Sequence, residues 1–426
     1  VDPASNPAVT GRFARYLERR WDFMTHVATL RDSRKQARIP TSAIFLTVFL
    51  TEAIRLGSFN GAEQQLHIPG RWEPWVGPRK PSADTLGYAL EGFDLNPLRA
   101  WLGELCQEAK RKKVFQRIYP DIHWIWALDG VETYCSRKLH CPTCLVREIT
   151  VNSEKVPEYY HREVVLQLVG VKPAFPLDAE PMLPGETECD AALRLVQRWH
   201  KIAPRLFDLF TMDAFYLKAP FVKKVLDLGY GVQAVLKDET RDLYQDVEGL
   251  LRKERAIQKI TVGNRQVELW DFQDLSTWPQ LERPVRAVRS LEKYEERRHQ
   301  PRGSKDGKWK VIEKESDWRW VVILPDGKKP SPDLARQWGH ARWDEETRGF
   351  GELTKHWHLD HSYHHHPVAR LACLLILFLA FILTTIFFDR NLKPAIRQGK
   401  SRLHLAALLA EDLVRGGWKS FWAQPP

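Results

Sequence analysis

Apolar residues in the first 119 positions of the chain recur at the spacing of an α-helix. The clearest stripe is formed by Leu98, Trp101, Leu102, Leu105 and Cys106. We predict that Asn96 caps this helix with Pro97 as its first residue, and that Ser82 caps the helix before it. The segment 1–119 is therefore predicted to be a helical domain. Short helices joined by basic turns suit a DNA-binding module, and a dimerisation or packing domain is the alternative.

From residue 122 onward, short apolar runs typical of β-strands replace this pattern. The runs are IHWIWAL (122–128), REVVLQLVGV (162–171), AFPLDAEPM (174–182), LFDLFTM (206–212) and VQAVLK (232–237). The second and third runs are predicted to form a hairpin, and helices precede the fourth and the fifth. This order predicts a mixed α/β domain over 120–237.

Residues 238–330 interrupt that alternation and are predicted to form a β-rich insertion. Helices are expected again over 331–395, and a last amphipathic helix in 396–426. Within them, Leu371–Phe388 has no charged residue and would give about 27 Å of helix, just short of a ~30 Å hydrocarbon core. A helix buried on all sides has the same composition. We expect a core helix, and a membrane-anchored, zinc-containing protein is the rival interpretation.

Composition adds a bias towards positive charge. Lys and Arg outnumber Asp and Glu by 64 to 54, which gives a net charge of +10 and favours a polyanionic partner.

The 17 Trp either stack on bases or, as is more usual, fill the core. Six Cys in so long a chain do not make a disulfide framework and suit a reducing compartment. The first residues, VDPASNPAV, lack a signal-peptide pattern, so we expect a cytoplasmic protein.

Two aspartates directly follow two of the predicted strands. Asp129 comes after Trp124–Leu128, and Asp213 comes after Phe207–Met212. In an open α/β sheet, ligands collect where strands end. Two carboxylates brought together there repel each other unless a cation lies between them, and hard divalent metals with oxygen ligands meet that need. The alternative is that each aspartate only caps a turn.

The spacing Cys141-Pro-Thr-Cys144 is typical of a knuckle whose two thiolates bind one tetrahedral ion. We expect a structural zinc in the loop 135–161. The other ligands are predicted to be His161 and Cys189, with Cys135 and His140 as alternatives; reduced structural cysteines without a metal are the competing interpretation. Six His between His356 and His366 are instead expected to form a polar helix end and turn.

Residues 283–310 hold ten Lys and Arg against four Asp and Glu. Such a run is usually a solvated loop. Beside a catalytic core it would be an arm that contacts phosphates, and four residues are predicted to do so: Arg297, Arg298, Arg302 and Lys305.

Three blocks of the sequence resemble the catalytic blocks of bacterial insertion-sequence DDE transposases. They are WALDG around Asp129, FTMDAFY around Asp213 and RWDEETRGFGELTKHWHLDH around Glu346. The segments YCSRKLHCPTCLVRE, EYYHREVVLQLV and ECDAALRLVQRW are also similar to transposases of this group. The resemblance covers roughly residues 120–390 and, more loosely, the helical N-terminus.

The resemblance implies a ribonuclease-H-like mixed-sheet core, with Asp129 on its first strand, Asp213 on its fourth and Glu346 on a helix after the insertion. Many such transposases carry tyrosine, arginine, glutamate and lysine at fixed spacing around the Glu. Arg342 and Glu346 keep that spacing, whereas Gly339 stands at the tyrosine position and the lysine is displaced to Lys355. Arg342 and Lys355 are accordingly expected to contact DNA.

The function that the resemblance implies is DNA transposition. Asp129, Asp213 and Glu346 would hold two Mg²⁺ ions, or Mn²⁺, for strand cleavage and strand transfer at the ends of an insertion sequence. The partners would be double-stranded DNA, both the terminal inverted repeats and the target, and further copies of the chain assembled on that DNA, with no membrane. The location would be the bacterial cytoplasm, at the nucleoid. A transposase-derived protein that binds DNA without cutting it is a further alternative.

Overall fold

The computed structural model describes residues 9–68, 72–119, 123–237, 239, 241–299, 309–325 and 327–415. The chain is a mixed α/β protein that folds into two compact units. One, which we call the helix-rich unit, comprises Val1–Ile118, Gly130–Ala203 and Glu345–Pro426; the other, the strand-rich unit, comprises Tyr119–Asp129 and Pro204–Asp344. Neither unit is continuous in sequence, so this division differs from the domain boundaries that the sequence predicts.

The N-terminal part of the helix-rich unit is helical, as the apolar spacing predicts. Its helices are α1 (Val9–Trp21), α2 (Phe23–Thr29), α3 (Thr41–Ala53), α4 (Phe59–Leu66), α5 (Glu73–Val76), α6 (Ala83–Glu91) and α7 (Leu95–Arg111). Ser82 caps α6 by accepting a hydrogen bond from the amide of Thr85. The predicted cap at Asn96 is wrong: Asp94 caps α7 and accepts from the Asn96 amide, because the helix begins one residue before Asn96.

The remaining elements of this unit are strands followed by helices. They are β1 (Gln116–Arg117), the Gly130–Ser136 half of β2 (Ile125–Ser136), β3 (Leu145–Val151), β4 (Glu154–Val169), β5 (Val171–Lys172), β6 (Phe175–Pro181), α8 (Glu188–Ile202), α12 (Gly351–Trp357), α13 (Pro367–Ile386), α14 (Pro394–Arg397) and α15 (Arg402–Arg415). β4 lies beside β2 and pairs antiparallel with β6, which confirms the predicted hairpin. The antiparallel β3–β4 pair was not predicted.

The strand-rich unit is built on the Ile125–Asp129 half of β2. Its other elements are β7 (Leu209–Met212), α9 (Ala219–Asp227), β8 (Gly231–Val235), α10 (Asp242–Leu251), β9 (Gln258–Val262), β10 (Arg265–Leu275), β11 (Val285–His299), β12 (Trp309–Ile323) and α11 (Pro332–Ala341). The strand order is β2-β7-β8-β12-β11-β10-β9; the first two pairs are parallel and the others antiparallel. The β-rich segment therefore extends the sheet of β7 and β8.

The apolar segment Leu371–Phe388 forms most of α13, the core helix of the helix-rich unit. By length and composition it could cross a membrane, yet its apolar window is 100% buried inside the fold. α13 packs against α3, α6, α7 and β6. A helix surrounded by protein needs no polar face, so this burial supports the core-helix interpretation over the membrane one.

Most of the described tryptophans belong to the cores. Ten are buried: Trp21, Trp72, Trp75, Trp101, Trp126, Trp199, Trp270, Trp320, Trp338 and Trp357. Trp309 and Trp343 are exposed. The high tryptophan count is thus mainly a packing feature, as the more usual interpretation expects.

Candidate metal centres

Asp129 and Asp213 occupy equivalent positions on adjacent parallel strands of the strand-rich unit. Leu128 of β2 pairs with Met212 of β7, and each aspartate is the next residue. Asp213 keeps an extended backbone, with φ −78° and ψ −179°. Neighbouring parallel strands lie about 4.8 Å apart, and residues in register point to the same face. The two half-buried carboxylates are therefore neighbours on one face of the sheet.

The strand environment of Asp129 differs from the prediction. β2 does not end before Asp129 but continues to Ser136. What ends at Leu128 is the parallel pairing with β7. Asp213 does follow the end of its strand, and its Oδ1 accepts a hydrogen bond from the Phe215 amide at 2.8 Å. Asp213 thus caps a turn, which is the alternative role predicted for it, and the capping bond uses one of its two carboxylate oxygens.

A buried arginine faces this carboxylate pair. Arg342, which follows α11, places Nη1 3.2 Å from Oδ2 of Asp129. Its side chain is only 8% exposed. The resemblance assigns Arg342 to DNA, and in this structure it contacts the Asp129 carboxylate. The guanidinium thus places a positive charge beside the Asp129 carboxylate.

The two departures from the transposase signature have packing causes. A Cβ atom on Gly339 would lie 2.3 Å from the indole of Trp320, which covers that point of α11. A tyrosine cannot occupy this position without displacing the tryptophan. The usual lysine position is Leu353, which is fully buried on α12. Lys355, two residues further, is exposed.

Glu346 belongs to the helix-rich unit and lies in a π-helical turn, Glu345–Phe350, that precedes α12. Gly349 in this turn approaches β4 so closely that a Cβ would lie 2.0 Å from the Gln167 side chain. Glu345 is fully buried, whereas Glu346 is half-buried. Sequence spacing singled out Glu346 alone and gave no indication that its neighbour is a buried acid.

Two of the predicted phosphate-contacting residues lie at the distal end of the β11–β12 pair. Arg297 and Arg298 are exposed, and Arg298 stands opposite Lys310. Trp309, beside Lys310, is 58% exposed. Arg302 and Lys305 lie outside the described residues. The described part of the arm therefore presents cations and an exposed aromatic ring.

The cysteine knuckle, in the helix-rich unit, has the dimensions of a metal site. The Sγ atoms of Cys141 and Cys144 are 3.6 Å apart, and they lie 3.3 Å and 3.4 Å from Nε2 of His161. Ligands of a tetrahedral zinc, with Zn–S about 2.3 Å and Zn–N about 2.0–2.1 Å, are separated by about 3.8 Å between sulfurs and about 3.6 Å between sulfur and nitrogen. Both cysteines are free thiols. The predicted ligands Cys141, Cys144 and His161 are thus brought together in an arrangement that could hold a metal ion.

The pKa shifts of His161 and Cys141 favour the metal-binding forms of these side chains, whereas the shift of Cys144 favours its neutral thiol. Burial, and then the positive charge of Arg370 and the neighbouring His365, lower the pKa of His161 to about 3, so its imidazole is neutral at physiological pH. Burial raises the pKa of the Cys144 thiol. Burial acts in the same sense on Cys141, but hydrogen bonds from Thr143 outweigh it and lower the pKa of that thiol. Neutral imidazole and thiolate are the forms that bind zinc.

The other proposed ligands do not join this group. Cys189, a predicted ligand, is buried in the first turn of α8 and is not among the side chains whose ligand atoms lie within 4.8 Å of one another. Cys135 is exposed on β2, with Sγ 4.0 Å from a nitrogen of Arg147, and His140 stacks on Tyr159 with ring centroids 4.4 Å apart.

Comparison with known proteins adds no family to these observations. A scan against protein-family models and a search of curated proteins both find no match for the chain. The candidate centres accordingly stand on the geometry described above and on the resemblance of the three sequence blocks.

Proposed function

We propose that the chain is a metal-dependent DNA transposase whose carboxylates are Asp129, Asp213 and Glu346. The observation that carries the proposal is the register of β2 and β7, which makes Asp129 and Asp213 neighbours on one sheet face, with Arg342 beside Asp129. The third carboxylate is assigned by its spacing from Arg342 in the sequence. The ribonuclease-H-like core, the DNA partner and the bacterial nucleoid location are parts of the same proposal.

Strand order supports that core within each unit. In the strand-rich unit, β2 begins a parallel run with β7 and β8. In the helix-rich unit, β2 has β4 as its neighbour, and β4 pairs with β6. A mixed sheet around β2 is compatible with the first strand of the core that the resemblance implies. Asp129 would lie on that first strand and Asp213 at the end of the fourth.

Carboxylate oxygens are the ligands that Mg²⁺ prefers, so the residues fit the ion that the resemblance implies. When bound, two such ions would polarise the scissile phosphate and activate the attacking water or 3′-hydroxyl. The protein's own groups have other tasks. Asp129 and Asp213 would present oxygens from rigid strands, and the capping bond to Phe215 fixes the Asp213 rotamer. Arg342 would hold the Asp129 carboxylate in place through the contact of its Nη1 atom with Oδ2.

The proposal is tested with the full-length chain on DNA that carries the genomic sequences flanking its gene on both sides. We expect cleavage in Mg²⁺ or Mn²⁺, and no detectable cleavage by Asp129→Asn, Asp213→Asn or Glu346→Gln, because each removes a metal-binding oxygen. DNA affinity should remain that of the unchanged chain. Asp227→Asn, an exposed carboxylate at the end of α9, is the matched control and should cleave normally.

Binding of Mn²⁺, followed by electron paramagnetic resonance, separates the possible failures. Loss of Mn²⁺ binding in Asp129→Asn, but not in Asp227→Asn, supports the metal assignment independently of the DNA chosen. If the unchanged chain binds DNA tightly but neither binds Mn²⁺ nor cleaves any substrate, the non-cleaving DNA-binding alternative is correct. Short inverted repeats flanking the gene, bounded by a direct duplication, would identify the element itself.

A further inference from the structure

The histidine-rich segment between α12 and α13 supplies a side chain to the cysteine knuckle. His365 lies beside the knuckle: its ring centroid is 6.2 Å from that of His161. Tyr134 of β2 contacts both imidazoles, with ring centroids 4.5 Å from His365 and 5.7 Å from His161. The Nδ1 atom of His365 is buried and has no hydrogen-bond partner among the residues that the structure describes. A buried imidazole nitrogen without a partner costs free energy unless something else satisfies it.

The neighbouring histidines are occupied elsewhere. Nε2 of His358 lies 3.2 Å from the backbone oxygen of Arg55, at the end of α3. His364 pairs with Glu91 at 3.3 Å through Nε2, and its Nδ1 accepts from the His366 amide. These contacts fix the segment against the N-terminal helices. They leave His365 as the imidazole of this segment that stands next to the knuckle.

We propose that His365 is the fourth ligand of a closed Cys₂His₂ zinc site formed with Cys141, Cys144 and His161. Two imidazoles on one tetrahedral zinc, with Zn–N about 2.0–2.1 Å, have ring centroids about 5 Å apart. The observed separation of 6.2 Å exceeds that by about 1 Å, so ligation requires the His365 side chain to move towards the knuckle. A site with four protein ligands and no open position is structural rather than catalytic.

Such a site has a mechanical role in the helix-rich unit. The knuckle joins β2 to β3, and His161 lies on β4, whereas His365 comes from the connection that follows α12. Zinc would thus fasten this connection to the strands, some 200 residues away in sequence. This inference does not depend on the proposed DNA chemistry.

The first test is zinc X-ray absorption spectroscopy on the purified, unmodified chain, preceded by elemental analysis. We expect about one zinc per chain and a first coordination sphere of two sulfurs and two nitrogens. A coordination sphere with three sulfurs would mean that Cys135 or Cys189, and not His365, is the fourth ligand. A purified chain without zinc would overturn the whole site. Because no substitution is needed, the result stands even if variants fold poorly.

The second test is zinc affinity, measured by competition with a chromogenic chelator. His365→Ala should weaken zinc binding at least about tenfold, since it removes a ligand, and His365→Cys should restore it. His366→Ala, the exposed neighbour, and Cys189→Ser are the controls and should bind zinc normally. Zinc removal should also increase amide hydrogen exchange over residues 358–366. Unchanged affinity in His365→Ala would overturn the assignment.

Discussion

At the scale of single residues, Gly339 differs from the transposase signature for a steric reason that can be measured. Gly339 stands at the tyrosine position of the transposase signature that the sequence resembles, and the indole of Trp320 fills the space a side chain would need. Trp320 is itself buried and stacks on Trp318 with ring centroids 6.0 Å apart. The Trp320 side chain therefore occupies the volume that a tyrosine at position 339 would need.

The first prediction follows from this packing. Gly339→Ala should lower the free energy of unfolding by about 1–3 kcal/mol, because the added methyl overlaps a buried ring that cannot move freely. Gly249→Ala, on helix α10 of the same unit, is the control: its Cβ would meet nothing within 4 Å. That change should be neutral or stabilising by up to about 1 kcal/mol. Urea unfolding measures both. Equal effects would mean that Trp320 can shift aside.

Residues also show why the candidate sites were only partly predictable. The knuckle could be predicted because Cys141 and Cys144 are close in sequence and their spacing has a geometric meaning. The proposed role of His365 could not be predicted, because a run of histidines does not indicate which imidazole lies beside the knuckle. The knuckle is some two hundred positions earlier in the sequence. Glu345 is a similar case: its burial comes from tertiary packing, so spacing alone could not separate it from Glu346.

At the scale of elements, helix α11 is attached to the sheet by a buried ionic cluster. Glu292 of β11, 1% exposed, accepts from His340 at 2.6 Å and lies 3.4 Å from Arg336, both on α11. Arg265 of β10 lies 2.9 Å from the same carboxylate. Burial alone would raise the pKa of Glu292, but the bond to His340 and the positive charges around it lower the pKa to about 2.

Removing this charge should therefore destabilise the strand-rich unit. Glu292→Gln is expected to cost about 3 kcal/mol at pH 7, because it takes the buried carboxylate away from Arg336 and His340 and leaves Arg336 with Asp333 as an ionic partner. The control, Glu315→Gln, breaks an exposed pair with Lys293 and should cost less than about 1 kcal/mol. Chemical unfolding followed by tryptophan fluorescence measures the difference.

The same cluster predicts a pH dependence. Since the folded-state pKa of Glu292 lies below its ordinary value of about 4.5, its contribution is complete above pH 4.5 and is lost as pH falls towards 2. The stability difference between the unchanged chain and Glu292→Gln should consequently narrow between pH 5 and pH 3. A difference that stays constant over that range would show that the carboxylate is not the titrating group.

Elements with continuous apolar runs were predictable, and half-exposed ones were not. The runs that became β7 and β8 are buried on both faces and read directly as strands. The second half of β2 and the β3–β4 pair are partly exposed, so polar residues fill them and no run marks them. The turn between β3 and β4 uses Asn152 and Ser153 at positive φ, a signal that is visible only once the strands are known.

At the scale of the whole molecule, the net charge of +10 attracts a polyanion most strongly where several cations lie on one surface. The distal end of β11–β12 is such a surface. We predict that Arg297→Gln combined with Arg298→Gln weakens binding to a labelled DNA duplex. The slope of log affinity against log salt should fall by about one unit per lost phosphate contact. Arg252→Gln with Lys253→Gln removes the same charge from an exposed site elsewhere in that unit and is the control.

If both double variants lower affinity equally with unchanged slopes, the arm is an ordinary solvated hairpin and the charge acts only at long range. A loss confined to the Arg297 and Arg298 variant assigns the contact to the arm.

The segments of the two units alternate along the sequence, and this order affects how the chain folds while it is being synthesised. All residues of α3 from Ala43 to Ala53 are buried, and α13 is one of the elements that cover them. About 300 residues separate the two helices, so at roughly 5–20 residues per second α3 waits some 15–60 s for that partner. Throughout that interval α3 lacks one of the helices that bury it, although every residue of the strand-rich unit, which ends at Asp344, has already been synthesised. Holding chaperones should therefore engage the nascent N-terminal region, and slower translation should increase aggregation.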